Sequence, residues 1–461
     1  MKLLVKAKLD PGFKPLALVI REMKRKTAEC GKNIVIGVER TKGCVTVYKT
    51  RIFPEGTGHD RMNFRYVERI AKCLLWVAGG YKIIIAGSEK IAAQLKKAYT
   101  RKGLRAFDVD FFETVYERPF EVVSVPLSRA PKNVGGASSI GRHLEGCRIG
   151  FDAGGSDRKV SAVIDGNSVY SEEVIWHPKT VSDPHYHEEE IYQAFKTAAD
   201  KMPRVDAIGV STAGVLIDNK PMVSSLFIKV PNELKKEFVQ PVYLNCAARL
   251  GRELGYNIPI EVANDGDVTA LAGAMDLEAT GVLGVAMGTS EAGGYVDTEG
   301  KVTGQINELA FVPVDWNKKA AVDEWSGDYG CGVKYFSQDG VIKLAEYAGF
   351  KFDSKMTPAE KLKVVQKMME SDDSKLAEDI FETIGVCFGY SIGLYAEFYK
   401  INHVLIMGRV TSGRGGEIIL NKAKEVLKKE FPALARKVKL HIPDEKSRRV
   451  GQSVAAASLP E

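Results

Sequence analysis

Residues 148–156 read Arg-Ile-Gly-Phe-Asp-Ala-Gly-Gly-Ser, an apolar strand that ends in an acidic residue, two glycines and a hydroxyl. The strand brings the Asp152 carboxylate to its own end, where it can hold a hydrated Mg²⁺. Gly154 and Gly155 permit a sharp turn whose backbone N–H groups can approach phosphate oxygens. The apolar run 159–166 predicts a returning strand, so the segment is a hairpin and not a P-loop. The hairpin predicts a nucleotide-phosphate site, although an ordinary turn can carry the same residues.

Three further segments follow in an order that one fold requires. Residues 259–267 predict a buried strand that ends in Asn-Asp-Gly-Asp, with a helix beginning at residue 268. Residues 281–296 predict a second glycine hairpin that carries hydroxyls, and residues 403–416 predict a strand, a glycine loop and a helix. Four such signals in this order are hard to obtain by chance.

At these motifs the sequence resembles the ROK-family sugar kinases (repressor, open reading frame, kinase), within the hexokinase, Hsp70 and actin superfamily. The resemblance covers residues 146–461. It implies an α/β fold in which two actin-like (ribonuclease H-like) lobes surround a nucleotide cleft, with an additional N-terminal α/β domain. We expect a basic N-terminal accessory domain with its linker at 1–145, a first lobe with the phosphate hairpin and sugar site at 146–275, and a second lobe with the other hairpin and the adenosine site at 276–461.

The resemblance also implies ATP and Mg²⁺ as cofactors and a set of site residues. Asp152 would coordinate Mg²⁺, directly or through water, and Asp265 would be the catalytic base. The residues implied to contact ATP or its phosphates are Asp152, Gly154, Gly155, Ser156, Gly288, Thr289, Ser290, Gly408, Gly415 and Gly416. The residues implied to bind the substrate are Asn264, Glu308 and Gly214.

The role of Asp265 can also be argued from chemistry alone. A sugar hydroxyl is a poor nucleophile at neutral pH, and a carboxylate within hydrogen-bond reach accelerates its attack by roughly 10²- to 10⁴-fold as a general base. The alternative for Asp265 and Asp267 is an Asx turn with a helix N-cap, which Asn-Asp-Gly-Asp before a helix favours locally.

Two departures from the family pattern concern the substrate side. Phe311 stands where the family's Glu-x-Gly-His motif has a histidine that touches the sugar, whereas Glu308 keeps the glutamate. The family's zinc loop has three cysteines, but the segment 323–334 has only Cys331, so a four-ligand zinc site cannot be built there. We therefore expect no zinc, and a sugar or sugar-like polyol or acid that is bound differently from glucose.

The N-terminal segment is unusually basic. Residues 1–145 hold 28 Lys and Arg against 14 Asp and Glu, whereas the rest of the chain holds 37 against 45. The plain interpretation is a basic domain docked on an acidic kinase body, and the alternative is an anion-binding surface. The segment predicts a β-hairpin around residues 40–43, then a helix, a strand and a helix, which differs from the helix-turn-helix of the family's repressors. This order could make it a degenerate copy of a kinase lobe, joined through a Gly/Ser-containing linker at 129–142.

The histidines of the segment 176–190 offer two interpretations. His177, His185 and His187 lie near acidic residues and could ligate a metal, or they belong to a loop that leads into a helix. A position of this loop beside the substrate cleft is the third option.

Composition bears on the location of the protein, on its cysteines and on its partners. No run of 18 uncharged apolar residues and no signal-peptide pattern occurs, so we expect a cytoplasmic protein without a membrane partner. The seven cysteines are scattered and lack a C-x-x-C pair, which indicates free thiols. A nucleic-acid partner is not expected, and a homodimer stays open. The alternatives to a kinase are a non-catalytic sugar-sensing regulator and an ATP-hydrolysing activator, which usually has cluster-ligating cysteines.

Overall fold

The computed structural model describes residues 2–135, 140–370, 374–443 and 445–461. Part of the expected linker, residues 136–139, lies outside these ranges. In chain order the helices and strands are α1 (Leu16–Lys26), β1 (Lys32–Glu39), β2 (Val45–Ile52), α2 (Asp60–Ala78), β3 (Lys82–Ala86), α3 (Glu89–Ala98), α4 (Ala106–Tyr116), β4 (Glu121–Val125), β5 (Cys147–Ala153), β6 (Asp157–Ile164), β7 (Asn167–Ile175), α5 (Pro184–Ala199), β8 (Ala207–Thr212), β9 (Val215–Ile217), β10 (Lys220–Val223), α6 (Asn232–Leu234), α7 (Val242–Leu254), β11 (Ile260–Asn264), α8 (Asp265–Asp276), β12 (Val282–Met287), β13 (Glu291–Val296), α9 (Gln338–Tyr347), α10 (Pro358–Met368), α11 (Lys375–Tyr395), β14 (His403–Met407), α12 (Arg414–Glu430), α13 (Pro432–Lys437), β15 (Lys439–His441) and α14 (Glu445–Ala457).

The first lobe is built on a five-stranded sheet with the order β7-β6-β5-β8-β11. The quoted stretch forms β5, which pairs antiparallel with β6, and β6 pairs antiparallel with β7. After the crossover helix α5, β8 returns parallel to β5, and β11 lies parallel to β8. Three antiparallel strands followed by two parallel ones are the ribonuclease H-like arrangement that the motifs predicted.

The second lobe repeats this plan with a shorter sheet, in the order β13-β12-β14-β15. The predicted second glycine hairpin is the β12–β13 pair, and β14 and β15 lie parallel to β12. Helices α11 and α12 pack together. The predicted fold class of two related α/β lobes is therefore confirmed.

The N-terminal segment forms its own four-stranded sheet with the order β2-β1-β3-β4. The predicted hairpin is present as β1 and β2, and α2 and β3 follow as expected. However, β3 runs antiparallel to β1, whereas the corresponding strand in each kinase lobe runs parallel. The hypothesis that this segment is a degenerate lobe is wrong, because its hairpin-helix-strand order builds a different sheet.

The N-terminal segment and the second lobe share one continuous hydrophobic core. Aromatic contacts cross between them, with ring centroids 5.5 Å apart for Phe13 and Tyr335 and 5.4 Å apart for Tyr48 and Phe398. Helix α14, which belongs to the C-terminal part assigned to the second lobe, packs on β5 and β8 of the first lobe. The division at residues 145 and 275 stays a prediction, and the packing continues across both boundaries.

Basic side chains of the N-terminal segment meet acidic side chains of the two lobes. The exposed or partly exposed pairs are Lys8–Asp379 at 2.6 Å, Arg21–Glu430 at 2.8 Å, Lys24–Glu397 at 2.5 Å and Lys42–Asp218 at 2.7 Å. These contacts are of the kind that docking of a basic segment on an acidic body predicts, and the anion-binding alternative stays a prediction.

A buried ion-pair cluster fixes the segment 323–334, which contains Cys331 as its single cysteine. Asp328 lies 2.6 Å from Arg69, 2.9 Å from Lys72 and 2.8 Å from Arg105, and each of these side chains is at most 3% exposed. The three cations outweigh burial and hold the pKa of Asp328 far below its usual range. Since Arg69 and Lys72 belong to α2 and Arg105 precedes α4, the cluster ties this loop to the N-terminal segment.

No helix in the described ranges combines the length and the apolar content that crossing a bilayer requires. The seven cysteines are free, as the sequence indicated, and all except Cys30 are buried.

Replacing Asp328 by Asn should destabilise the protein by roughly 3–5 kcal/mol, because it removes the carboxylate that three buried cations share and leaves them only Glu68 and Asp108 as acidic partners among the described residues. The control is Glu22→Gln, which removes a carboxylate from an exposed pair with Arg25 and should barely change the urea midpoint. Equal midpoints for the two variants would show that the cluster does not hold the loop.

Glu291 at the start of β13 is a second buried acid, only 3% exposed. Its Oε1 accepts a hydrogen bond from the Tyr395 hydroxyl at 3.1 Å, and Oε2 has no partner among the described residues. Burial raises the pKa of Glu291 to about 8. The native state therefore holds this proton at pH values where the unfolded chain has lost it.

Glu291→Gln should become more stabilising, relative to the wild type, as the pH rises. The pKa of Glu291 is higher in the folded state than in the unfolded state. Its contribution to the stability of the wild type is therefore fully present below the unfolded pKa of about 4.3 and is lost as the pH rises to about 8. The Gln variant carries no such dependence. Urea unfolding of both proteins across this window tests the sign, and a pH-independent difference would contradict it.

Candidate active site

The phosphate hairpin ends at a buried carboxylate, as predicted. Asp152, at the end of β5, is 9% exposed, and its Oδ1 accepts a hydrogen bond from the Ser211 hydroxyl at 2.7 Å. Its Oδ2 accepts none within the described part of the chain. Gly154 forms the turn, where a Cβ would lie 2.5 Å from the Asp157 carbonyl oxygen, and Gly155 and Ser156 are exposed at its tip. The turn is therefore open to a ligand.

The second carboxylate is placed by the start of α8. Asn264 is the N-cap: its Oδ1 accepts from the Gly266 N–H at 2.8 Å, and its Nδ2 donates to the Gly214 carbonyl at 2.8 Å. Asp265, the first helical residue, accepts from the adjacent Gly266 N–H at 2.9 Å, and no other described residue donates a side-chain hydrogen bond to its carboxylate. The capping alternative thus applies to Asn264 and leaves the Asp265 carboxylate free for chemistry.

Glycines allow the two lobes to meet beside Asp265. A Cβ on Gly294 of β13 would overlap the Gly266 carbonyl oxygen, so only glycine permits this approach of strand and helix. The contact leaves a cavity of about 200 Å³ that Asp152 and Asp265 line from the first lobe and Gly284 and Gly293 line from the second.

Asp265 has the electrostatics of a base. Burial, and then the Asp152 carboxylate, raise the pKa of Asp265 to about 6, against the lowering effect of the Gly266 N–H and the Lys179 charge. A base with a pKa near 6 is ionised at neutral pH and still has useful proton affinity.

Asp267 has a structural role. Its Oδ1 accepts from the Tyr295 N–H at 2.9 Å and from Asn307 Nδ2 at 2.8 Å. Burial raises the pKa of Asp267 to about 7. The alternative that Asp267 is structural is correct, although it joins α8 to the second lobe and does not cap the helix.

The second glycine hairpin has an open tip. Gly288 accepts a hydrogen bond from the Gln338 N–H at 2.9 Å, and Thr289 and Ser290 are exposed. A Cβ on Gly288 would meet only the Ser290 carbonyl oxygen, at 3.7 Å. The predicted phosphate contacts of these three residues therefore face open space and stay predictions.

The glycines assigned to the adenosine side are explained by packing. Gly408 has a φ of 99° and lies against the Met287 backbone. Gly415 and Gly416 are buried in the first turn of α12, where a Cβ would meet the Phe381 ring or overlap the Thr411 carbonyl. Their identity as glycines is not, by itself, evidence for a nucleotide.

Glu308 lies beside an aromatic cluster from the N-terminal segment. Its N–H donates to the Trp76 carbonyl at 3.0 Å, whereas its carboxyl accepts no hydrogen bond within the described ranges. Burial, with Asp265 and Asp267 adding to it, raises the pKa of Glu308 to about 7. Phe311 packs against Trp76, with ring centroids 4.4 Å apart, and against Phe107 at 5.3 Å. The histidine position of the family motif is therefore part of an apolar wall.

The histidine segment is a loop leading into α5. His187 is buried, with Nε2 2.9 Å from the Pro178 carbonyl oxygen and Nδ1 3.1 Å from that of Asp183. The described residues contain no group of three or more His, Cys, Asp or Glu side chains that could hold a metal. The metal interpretation is therefore not supported among the described residues, and the loop ends earlier than expected, because α5 begins at Pro184 and includes His185 and His187.

The sequence motifs did not identify Lys179, which this loop holds over the phosphate hairpin. A Cβ on Gly155 would lie 2.6 Å from Lys179 Nζ. A single lysine in a loop has no spacing signal, and only the expectation that the loop borders the cleft pointed towards it.

No protein-family model and no curated protein matches the sequence. Two solved structures match 68% of this chain with a TM-score of 0.50. One is a ROK-family transcriptional regulator, a homologue of the E. coli MLC protein, at 17% identity over 79% of its chain. The other is the ROK hexokinase from Thermus thermophilus, at 18% identity over 97% of its chain. The chain therefore has the two-lobed fold of the ROK kinases and regulators, as its motifs predicted.

Proposed function

We propose that the protein transfers the γ-phosphoryl group of Mg-ATP to a hydroxyl of a sugar or a sugar-like polyol or acid. The observation that carries the proposal is the Asp265 carboxylate, which is free of helix capping and shares a cavity with Asp152 between the two glycine hairpins. A carboxylate without other commitments can accept the hydrogen bond of an acceptor hydroxyl and then its proton.

The residues present fit Mg-ATP. The Oδ2 atom of Asp152 is a free carboxylate oxygen, the ligand type that Mg²⁺ takes together with water and phosphate. The tips at Gly155–Ser156 and Gly288–Ser290 offer open backbone and hydroxyl donors. Bound Mg-ATP would supply the transferable phosphoryl group and the positive charge that offsets its oxygens.

The chain's own residues would act on the acceptor. Asp265 would orient the acceptor hydroxyl and take the proton of that hydroxyl while the hydroxyl oxygen attacks the γ-phosphorus. Glu308, whose carboxyl lacks a protein partner, would bind another hydroxyl of the acceptor. Asn264 and Gly214 would complete this side through their remaining hydrogen-bonding capacity. Phe311 would offer an apolar surface where a histidine would have donated a hydrogen bond, which favours an acceptor other than glucose.

The second candidate is a non-catalytic sugar-sensing regulator, because the solved structures with a similar fold include a ROK-family transcriptional regulator. The four-stranded sheet of the N-terminal segment, in place of a helix-turn-helix, weighs against DNA binding by that part of the chain. The free Asp152 and Asp265 carboxylates weigh against the loss of catalysis.

Asp265→Asn should keep nucleotide and acceptor binding but lower acceptor-dependent ADP release by at least about 10²-fold, since an amide cannot accept the proton. ADP release is measured with Mg-ATP against hexoses, amino sugars, polyols and sugar acids. The control is Asp276→Asn, the same change at the exposed far end of α8, which should leave turnover unchanged.

Near-normal turnover of the Asp265→Asn protein would exclude Asp265 as the base. If no acceptor stimulates the wild type although a sugar binds, the regulator becomes the better account.

The acid limb of kcat/KM for Mg-ATP should show an apparent pKa of about 6, the value to which burial and Asp152 raise the Asp265 carboxyl. Only the ionised carboxylate accepts a proton, so the rate should fall about tenfold for each pH unit below this value and level off above it. Because Glu308 and Asp267 titrate nearby, the limb belongs to the coupled group. A flat profile down to pH about 4 would contradict this assignment.

A further inference from the structure

The loop after β7 is tied to the phosphate hairpin. Trp176, which is 1% exposed, donates from Nε1 to the Gly154 carbonyl at 2.7 Å and from its N–H to the Ser156 carbonyl at 3.2 Å. Both ends of the glycine turn are therefore bonded to one residue of the loop. Movement of the turn requires movement of Trp176.

The next residues are held from the helix side. The buried His187 ring of α5 lies 2.9 Å from the Pro178 carbonyl oxygen, and the His177 N–H donates to the Tyr186 hydroxyl at 3.0 Å. Residues 176–178, which directly precede Lys179, are therefore held by hydrogen bonds to the hairpin on one side and to α5 on the other.

These anchors direct the Lys179 side chain across the hairpin tip. A Cβ on Gly155 would lie 2.6 Å from Nζ and 2.8 Å from Cε, so the ammonium lies directly over the turn. Lys179 forms no ion pair or hydrogen bond with any described residue. Lys159, the other lysine near this end of the sheet, lies 3.7 Å from Asp157 and 4.0 Å from Glu173.

The ammonium also acts on Asp265, since its charge lowers the pKa of that carboxyl. Lys179 thus lies over the turn that would hold phosphate oxygens, and its charge also acts on the carboxylate that would accept the proton. An unpaired cation at this point has an anionic ligand as its natural partner.

Resting on the proposed function, we propose that Lys179 is a catalytic residue whose ammonium contacts the phosphoryl group during its transfer. The acceptor oxygen forms a bond to the γ-phosphorus as the bond from that phosphorus to the β,γ-bridging oxygen breaks. The acceptor proton goes to Asp265, and the electron pair of the broken bond leaves on ADP. Lys179 remains protonated throughout and offsets charge on the transferred oxygens.

Lys179→Ala should lower kcat by about 10²- to 10³-fold, the usual effect of removing one donor that stabilises transition-state charge. The KM for the acceptor should change little, because the ammonium faces the phosphate. Lys179→Arg should recover part of the rate, since it restores the charge with a different shape. The control is Lys196→Ala on α5. It removes the same charge from an exposed pair with Glu253 of α7 and should leave kcat unchanged.

Binding of ADP with aluminium fluoride and the acceptor, an analogue of the transferring phosphoryl group, separates catalysis from structure. Lys179→Ala should lose this binding and keep binding of ADP alone, with an unchanged thermal midpoint because the side chain is exposed. Equal kcat for Lys179→Ala and the wild type, or undiminished analogue binding, would overturn the proposal while the kinase activity stands. A wild type that phosphorylates no acceptor would remove the proposed function and this inference together.

Discussion

The approach of α8 to β13 is the constraint on which the rest of the site depends. The Gly266 carbonyl and Gly294 come so close that a side chain on either strand or helix would separate the lobes. The parallel strands β5, β8 and β11 bring Asp265 to the same edge of the sheet as Asp152, although the two residues are 113 positions apart, and the contact of α8 with β13 adds the second lobe's side of their cavity. Burial and mutual repulsion of the carboxylates then give Asp265 the proton affinity that a general base needs.

The N-terminal segment is packed into the core of the protein and is not a loosely attached addition. Its sheet shares a core with the second lobe, and its buried Arg69, Lys72 and Arg105 hold Asp328 in the segment 323–334. Trp76 of the same segment packs on Phe311, three residues after Glu308. Different residues of the same N-terminal segment therefore support the stability of the second lobe and the proposed acceptor side of the cleft.

Sequence reasoning predicted the parts of the fold that local patterns encode. The strand ending at Asp152, the strand ending at Asn264 and both glycine hairpins form as expected, since each carries its own turn and burial signals. The antiparallel direction of β3 and the Lys8–Asp379 pair were not predictable, because pairing direction and contacts 371 residues apart have no local signature. Lys179 escaped notice for the same reason, as its position depends on Trp176 and His187.

The most direct test of the account is the identity and amount of the product formed from Mg-ATP and a stimulating acceptor. Mass spectrometry of the acceptor, alongside quantification of ADP, measures both. The account predicts an acceptor carrying one added phosphoryl group in an amount equal to the ADP released. ADP accompanied by inorganic phosphate and an unmodified acceptor would contradict it, because water would then be the nucleophile that Asp265 activates.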